Sequence, residues 1–80
     1  MYKLIFEKSF SRKAHKLIKL SPMIDIKFSK LLPRLEVNPF DNSLKTHGLS
    51  GNLKGRYACC LTADIRIIFK LSNDNIHLLD

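Results

Sequence analysis

The 80-residue sequence predicts an α+β domain: a small antiparallel sheet with an N-terminal two-helix hairpin packed on one of its faces. Three observations predict it. Apolar residues recur at helical spacing twice in the first half, at Phe10, Ala14, Leu17 and Ile18 and again at Ile24, Phe28, Leu31, Leu32 and Leu35. In the second half the period changes to two: Ile65, Ile67, Phe69 and Leu71 share one parity, and Asp64, Arg66, Ile68 and Lys70 the other. The length allows one domain, residues 1–80, with a core too thin for a large sandwich.

Tyr2–Glu7 alternates as a short first strand, with Tyr2, Leu4 and Phe6 on one face. Ser9 is placed to cap the first helix, whose other face carries Arg12, Lys13, Lys16 and Lys19 beside His15. Ser21-Pro22 is a cap residue followed by proline at the first helical position, and restarts a helix. Pro33 removes a backbone donor and crowds the carbonyl of Ser29, so a kink or an end near Leu32 is expected. The run 38–43, NPFDNS, has loop chemistry, and HGLSG follows at 47–51. Strands are expected over Leu53–Leu61, Asp64–Leu71 and Ile76–Asp80, joined by turns at Thr62-Ala63 and at 72–75, SNDN.

Fourteen Lys and Arg against seven Asp and Glu leave a net charge of +7, which favours a polyanionic partner such as RNA, DNA, a ribosome or an acidic protein. Apolar runs are too short to span a bilayer, and MYKLIFEKSF lacks the apolar region and cleavage site of a signal peptide, so a cytoplasmic protein with no membrane partner is expected. Cys59 and Cys60 are adjacent. On a strand they point to opposite faces, so two reduced thiols are expected, one in the core. There is no metal-ligand spacing and no Gly-rich phosphate loop, so neither metal nor cofactor is expected. The sheet face opposite the helices presents Lys54, Arg56, Cys60, Asp64, Arg66 and Lys70, a cationic surface suited to RNA.

The strand, the basic helical hairpin and the segment LKTHGLSGNLKGRYACCLTADIRIIFKL, from Leu44 to Leu71, resemble the small toxins of bacterial type II toxin–antitoxin systems. The resemblance is to the RelE superfamily, in the branch that includes YafQ. It rests on an H-x-L-x-G loop at His47, a G-x-Y at Gly55 and a D-x-R-I-I-F strand at Asp64, and covers nearly the whole chain. It implies a ribosome-dependent endoribonuclease that cleaves mRNA without a metal, activating a 2′-hydroxyl against the adjacent phosphate and protonating the leaving oxygen. His47 then matches the family's acid or base, Asp64 an acidic position, and Arg66 a phosphate clamp. Lys54, Arg56, Cys60 and Lys70 would add RNA contacts, by parity. A cognate acidic antitoxin and the ribosome with its mRNA are the implied partners. In YafQ-like members a second His stands at the place of Cys60. The family usually continues past its last strand with a segment such as I-G-T-H-D-E-V-Y, whereas this sequence stops at Asp80. Two other readings share the fold: a weak or inactive relative that binds antitoxin and RNA, and a ParE-like gyrase-directed toxin, against which His47, Asp64 and Arg66 argue.

Overall fold

The computed structural model describes residues 1–49, 51 and 55–80. Strand β1 (Lys3–Phe6) leads directly into helix α1 (Lys8–Leu20), and α2 (Pro22–Val37) follows after one residue. A 3₁₀ turn (Asn42–Leu44) precedes β2 (His47–Gly48), β3 (Arg56–Cys60), β4 (Arg66–Ser72) and β5 (Asn75–Leu78). These strands form one sheet in the order β1-β5-β4-β3-β2. The two helices and the sheet make the α+β arrangement that the apolar periodicities predict.

The core lies between the helices and one sheet face. Ile24, Phe28, Leu31 and Leu35 of α2 are buried, as are Cys59, Ile67, Phe69, Ile76 and Leu78 of the sheet. Each such side chain contributes about 1.5–3 kcal/mol by leaving water. Phe10 meets Phe28 edge-on at 5.9 Å, and Tyr57 lies over Phe69 at 5.8 Å, so α1 clamps α2 while an aromatic pair bridges β3 and β4. Cys59 is fully buried and Cys60 half-buried, both as free thiols. Burial, with the neighbouring Cys60, pushes the Cys59 thiol up to about 12 from 9.0. The folded state therefore holds that proton more tightly than the unfolded chain. This stabilisation is complete below pH 9 and is lost as pH rises toward about 12. An alkylating reagent at pH 8 is expected to label Cys60 and spare Cys59 in the native protein. Equal labelling of both, measured by mass spectrometry, would show that the β3 core position is open.

Several elements differ from expectation for identifiable reasons. β1 pairs with β5 in parallel, Lys3 opposite Asn75 and Phe6 opposite Leu78, so the sheet is mixed. Alternation reports which face a residue takes, not the direction of its neighbour. Ser9 does not cap α1: the N-cap is Glu7, and the Ser9 hydroxyl donates to the Leu79 carbonyl at 2.6 Å, tying α1 to the end of β5. Ser21 is the N-cap of α2, with Pro22 first in the helix, although its side chain makes no capping bond. α2 runs through Pro33 to Val37. Ser29 and Pro33 both lie on the exposed side of α2, where the carbonyl that proline leaves without a donor costs less than it would in the core.

The β3–β4 connection is longer than the two-residue turn expected. The Thr62 hydroxyl accepts from the Asp64 amide at 3.2 Å and the Ile65 amide at 3.0 Å, and the Leu61 amide donates to the Ile65 carbonyl at 2.9 Å. That local bonding delays the start of β4 to Arg66, and Asp64 stands in the loop rather than opening the strand. At the next turn Asn73 takes a positive φ of 55°, which asparagine tolerates, and Ser72 pairs with Asn75. The expected early part of β3, including Leu53 and Lys54, lies outside the described residues.

Candidate nucleic-acid interface

The sheet face turned away from the helices is organised in rows by strand register. Along the middle row His47 in β2 opposes Ala58 in β3, which opposes Ile68 in β4. The Leu79 amide donates to the Ile68 carbonyl at 2.8 Å and extends that row. To one side Cys60 opposes Arg66; to the other Arg56 opposes Lys70, which opposes His77. Rows on one face are about 7 Å apart, two residues along a strand, so the two cationic rows lie about 14 Å apart across the apolar one. Ala58 is only 1% exposed because it is small and larger side chains stand on every side of it. This face is therefore not uniformly wet, as plain alternation suggests; it has an apolar floor between two charged borders.

The floor opens into a cleft of about 440 Å³ lined by Ser9, Lys13, Arg56, Ile68, Leu79 and Asp80. That is room for a nucleotide-sized group. Lys13 pairs with Asp80 across its mouth, an exposed contact that contributes little stability. Among the described residues Lys13 is the one lysine or arginine with a carboxylate in ion-pair range. Arg56 directly faces Lys70, and like charges at opposed positions of antiparallel strands destabilise the sheet.

His47 is positioned by the backbone before it. Lys45 takes the left-handed conformation at φ 53°, an arrangement that costs a non-glycine residue about 1–2 kcal/mol. The turn brings the Lys45 carbonyl to 3.2 Å from His47 Nδ1. A carbonyl only accepts, so Nδ1 carries the proton in this contact, and in the neutral ring Nε2 is the free acceptor. The preceding 3₁₀ turn is capped by Asp41, which accepts from the Ser43 amide and hydroxyl, both at 2.9 Å. Those two bonds, with the charge of Arg34, hold the Asp41 carboxyl below its ordinary range.

The chain superposes along almost its entire length on solved toxins. A copper-bound mutant toxin from Helicobacter pylori matches at TM-score 0.84 and 26% identity, covering 99% of this chain and 90% of that one. YafQ from E. coli matches at TM-score 0.77 and 24% identity, covering 98% and 88%. The fold is that of the RelE-superfamily toxins. YoeB from Staphylococcus aureus, solved in complex with YefM, matches at TM-score 0.78 and 16% identity, covering 98% and 91%. The sequence matches no family model and no curated protein.

On this RelE-type sheet His47, Cys60, Arg66, Arg56 and Lys70 share the uncovered face. Strand spacing puts the Cα atoms of His47 and Arg66 about 12 Å apart, within joint reach of one phosphodiester for an imidazole and a long guanidinium side chain. Asp64 is exposed in the β3–β4 loop, beyond the Arg66 end of the face, and Lys54 lies outside the described residues. His77, not among the expected site residues, stands beside Lys70 with Nδ1 3.4 Å from Glu7 Oε2. Ser9, Lys13, Leu79 and Asp80 were also not expected at the cleft. Periodicity assigns Lys13 to a helix surface and carries no signal that α1 passes the end of β5. Among the described residues no three His, Cys, Asp or Glu side chains gather in a metal-binding group, and no helix is long and apolar enough to cross a membrane.

Proposed function

We propose that this chain is the toxin of a type II toxin–antitoxin pair, an endoribonuclease that cleaves mRNA on the ribosome at the open sheet face. The observation that carries the proposal is the opposed pair Arg56 and Lys70, with no carboxylate in ion-pair range among the described residues, on the face turned away from the helices beside His47 and Arg66. Such a pair weakens the apo sheet, and an anion bridging it reverses the sign of that interaction.

In this reading a ribonucleotide lies on the Ala58–Ile68 floor with its flanking phosphates at the two cationic rows. His47 Nε2 takes the proton of the 2′-hydroxyl, and the oxygen attacks the adjacent phosphorus. Arg66 stabilises the charge that develops on the pentavalent phosphate. The bond to the 5′-oxygen breaks, leaving a 2′,3′-cyclic phosphate and a 5′-hydroxyl. In this reading Cys60, opposite Arg66, returns a proton to the leaving oxygen.

A partner follows from charge. YoeB of S. aureus was solved with YefM, and a chain at +7 with little internal neutralisation fits an acidic antitoxin. Induced expression is expected to arrest bacterial growth with loss of intact mRNA, and co-expression of an acidic neighbouring gene product to relieve it. Growth arrest with intact mRNA and inhibited gyrase would favour the ParE-like reading instead.

One variant separates binding from stability. Lys70→Thr is expected to stabilise the fold by about 0.2–1 kcal/mol, because it removes the repulsion from Arg56. The same change should weaken RNA binding. A melting temperature that falls, with RNA binding unchanged, would remove the argument from the like-charge pair.

A further inference from the structure

A second cationic cleft lies around the sheet edge from the open face. Lys27, Lys30 and Arg34 project from successive turns of one side of α2 and, with Ser43 and Cys60, line a pocket of about 180 Å³. None of the three has a carboxylate in ion-pair range among the described residues. The acid nearest in effect is Asp41, whose carboxylate is already engaged by Ser43 and feels the Arg34 charge. The cleft therefore keeps an excess of positive charge. Cys60 belongs to both surfaces: it opposes Arg66 on the open face and also lines this pocket. β2 pairs with Tyr57 and Ala58, so among the described residues Cys60 lies past the paired end of β2, at the margin where the two surfaces meet.

We propose that the α2 cleft binds the phosphates of single-stranded RNA on the far side of Cys60 from the open face, as a second anchoring segment of the same substrate. Lys27 to Arg34 spans about 10 Å of helix, which matches about three nucleotides of a stacked strand. At about 180 Å³ the pocket has room for phosphate groups along α2 and not for whole nucleotides, so sugars and bases lie outside it. The floor of the open face takes the nucleotide that reacts, and the α2 cleft takes the strand beside it. The inference rests on the function proposed above, because it extends that RNA path.

The test uses a labelled, non-cleavable 2′-O-methyl oligonucleotide of about ten nucleotides, long enough to cross both surfaces. Fluorescence anisotropy is followed over a salt series for the wild type, for the combined Lys27→Ala, Lys30→Ala and Arg34→Ala variant, and for Arg56→Ala with Lys70→Ala. The α2 variant is expected to bind about ten- to a hundredfold more weakly at low salt, with a log–log salt slope smaller by about 2. Replacing Lys27 and Lys30 by arginine should restore binding, and the thermal unfolding midpoint should not move. Unchanged affinity and slope in the α2 variant, with loss in the Arg56 and Lys70 variant, would overturn the cleft and leave the open face standing. A wild type that binds no RNA would overturn both. Equal loss toward a polyglutamate peptide of the same charge would assign the cleft to an acidic protein and overturn the RNA proposal.

Discussion

Replacing His47 with alanine is expected to slow mRNA cleavage by about 100- to 10,000-fold, the usual contribution of a positioned proton-transfer group. Lys45 presents its carbonyl to Nδ1, so the neutral ring offers Nε2 as the base. His47 is exposed and lies on the short edge strand β2, so the substitution should change stability by less than about 0.5 kcal/mol. RNA affinity should fall little, since Arg56, Arg66 and Lys70 remain. Single-turnover cleavage and thermal melting, measured together, check this. Wild-type cleavage by His47→Ala would place the base elsewhere. An equal fall in stability would make His47 structural.

Ile67→Asp is expected to leave the chain unfolded. Ile67 is 1% exposed and opposes Cys59, in a core that buries no polar or charged side chain among the described residues. Removing the buried Ile side chain costs about 2–5 kcal/mol, and an unpaired carboxylate adds several more. A domain of this size has about 4–12 kcal/mol in total, so the sum reaches or exceeds its stability. The next residue provides the comparison. Ile68 lies on the open face and is half-buried, so Ile68→Asp should keep native circular dichroism while repelling RNA from the floor of the cleft. Two folded or two unfolded variants would contradict the division of the sheet into a core face and a site face.

That division was legible in the residues because parity is a local property. Ile67 and Phe69 are buried while Arg66 and Lys70 are exposed, as alternation requires. The stripe of Ile24, Phe28, Leu31 and Leu35 was legible for the same reason. What alternation does not hold is pairing: β1 runs parallel to β5, and the His47–Gly48 loop adds an edge strand. Asp64 left the strand because one hydroxyl, Thr62, accepts two amides, a choice that propensity alone does not rank. The motif resemblance singled out His47 and Arg66, and parity alone singled out Arg56 and Lys70; the strand register brings all four to one face. The α2 cleft was not, since Lys27, Lys30 and Arg34 become a surface only when the 3₁₀ turn and the end of β3 pack beside them.

The proposed reaction at the open face runs through the substrate's own 2′-hydroxyl. The direct measurement compares two mRNAs on programmed ribosomes with the purified chain, one all-ribose and one with a single 2′-deoxynucleotide at the mapped cleavage position. The first is expected to be cleaved, ending in a 2′,3′-cyclic phosphate, and the second to stay intact at the deoxy position. Equal cleavage of both, or a 3′-hydroxyl product, would contradict it.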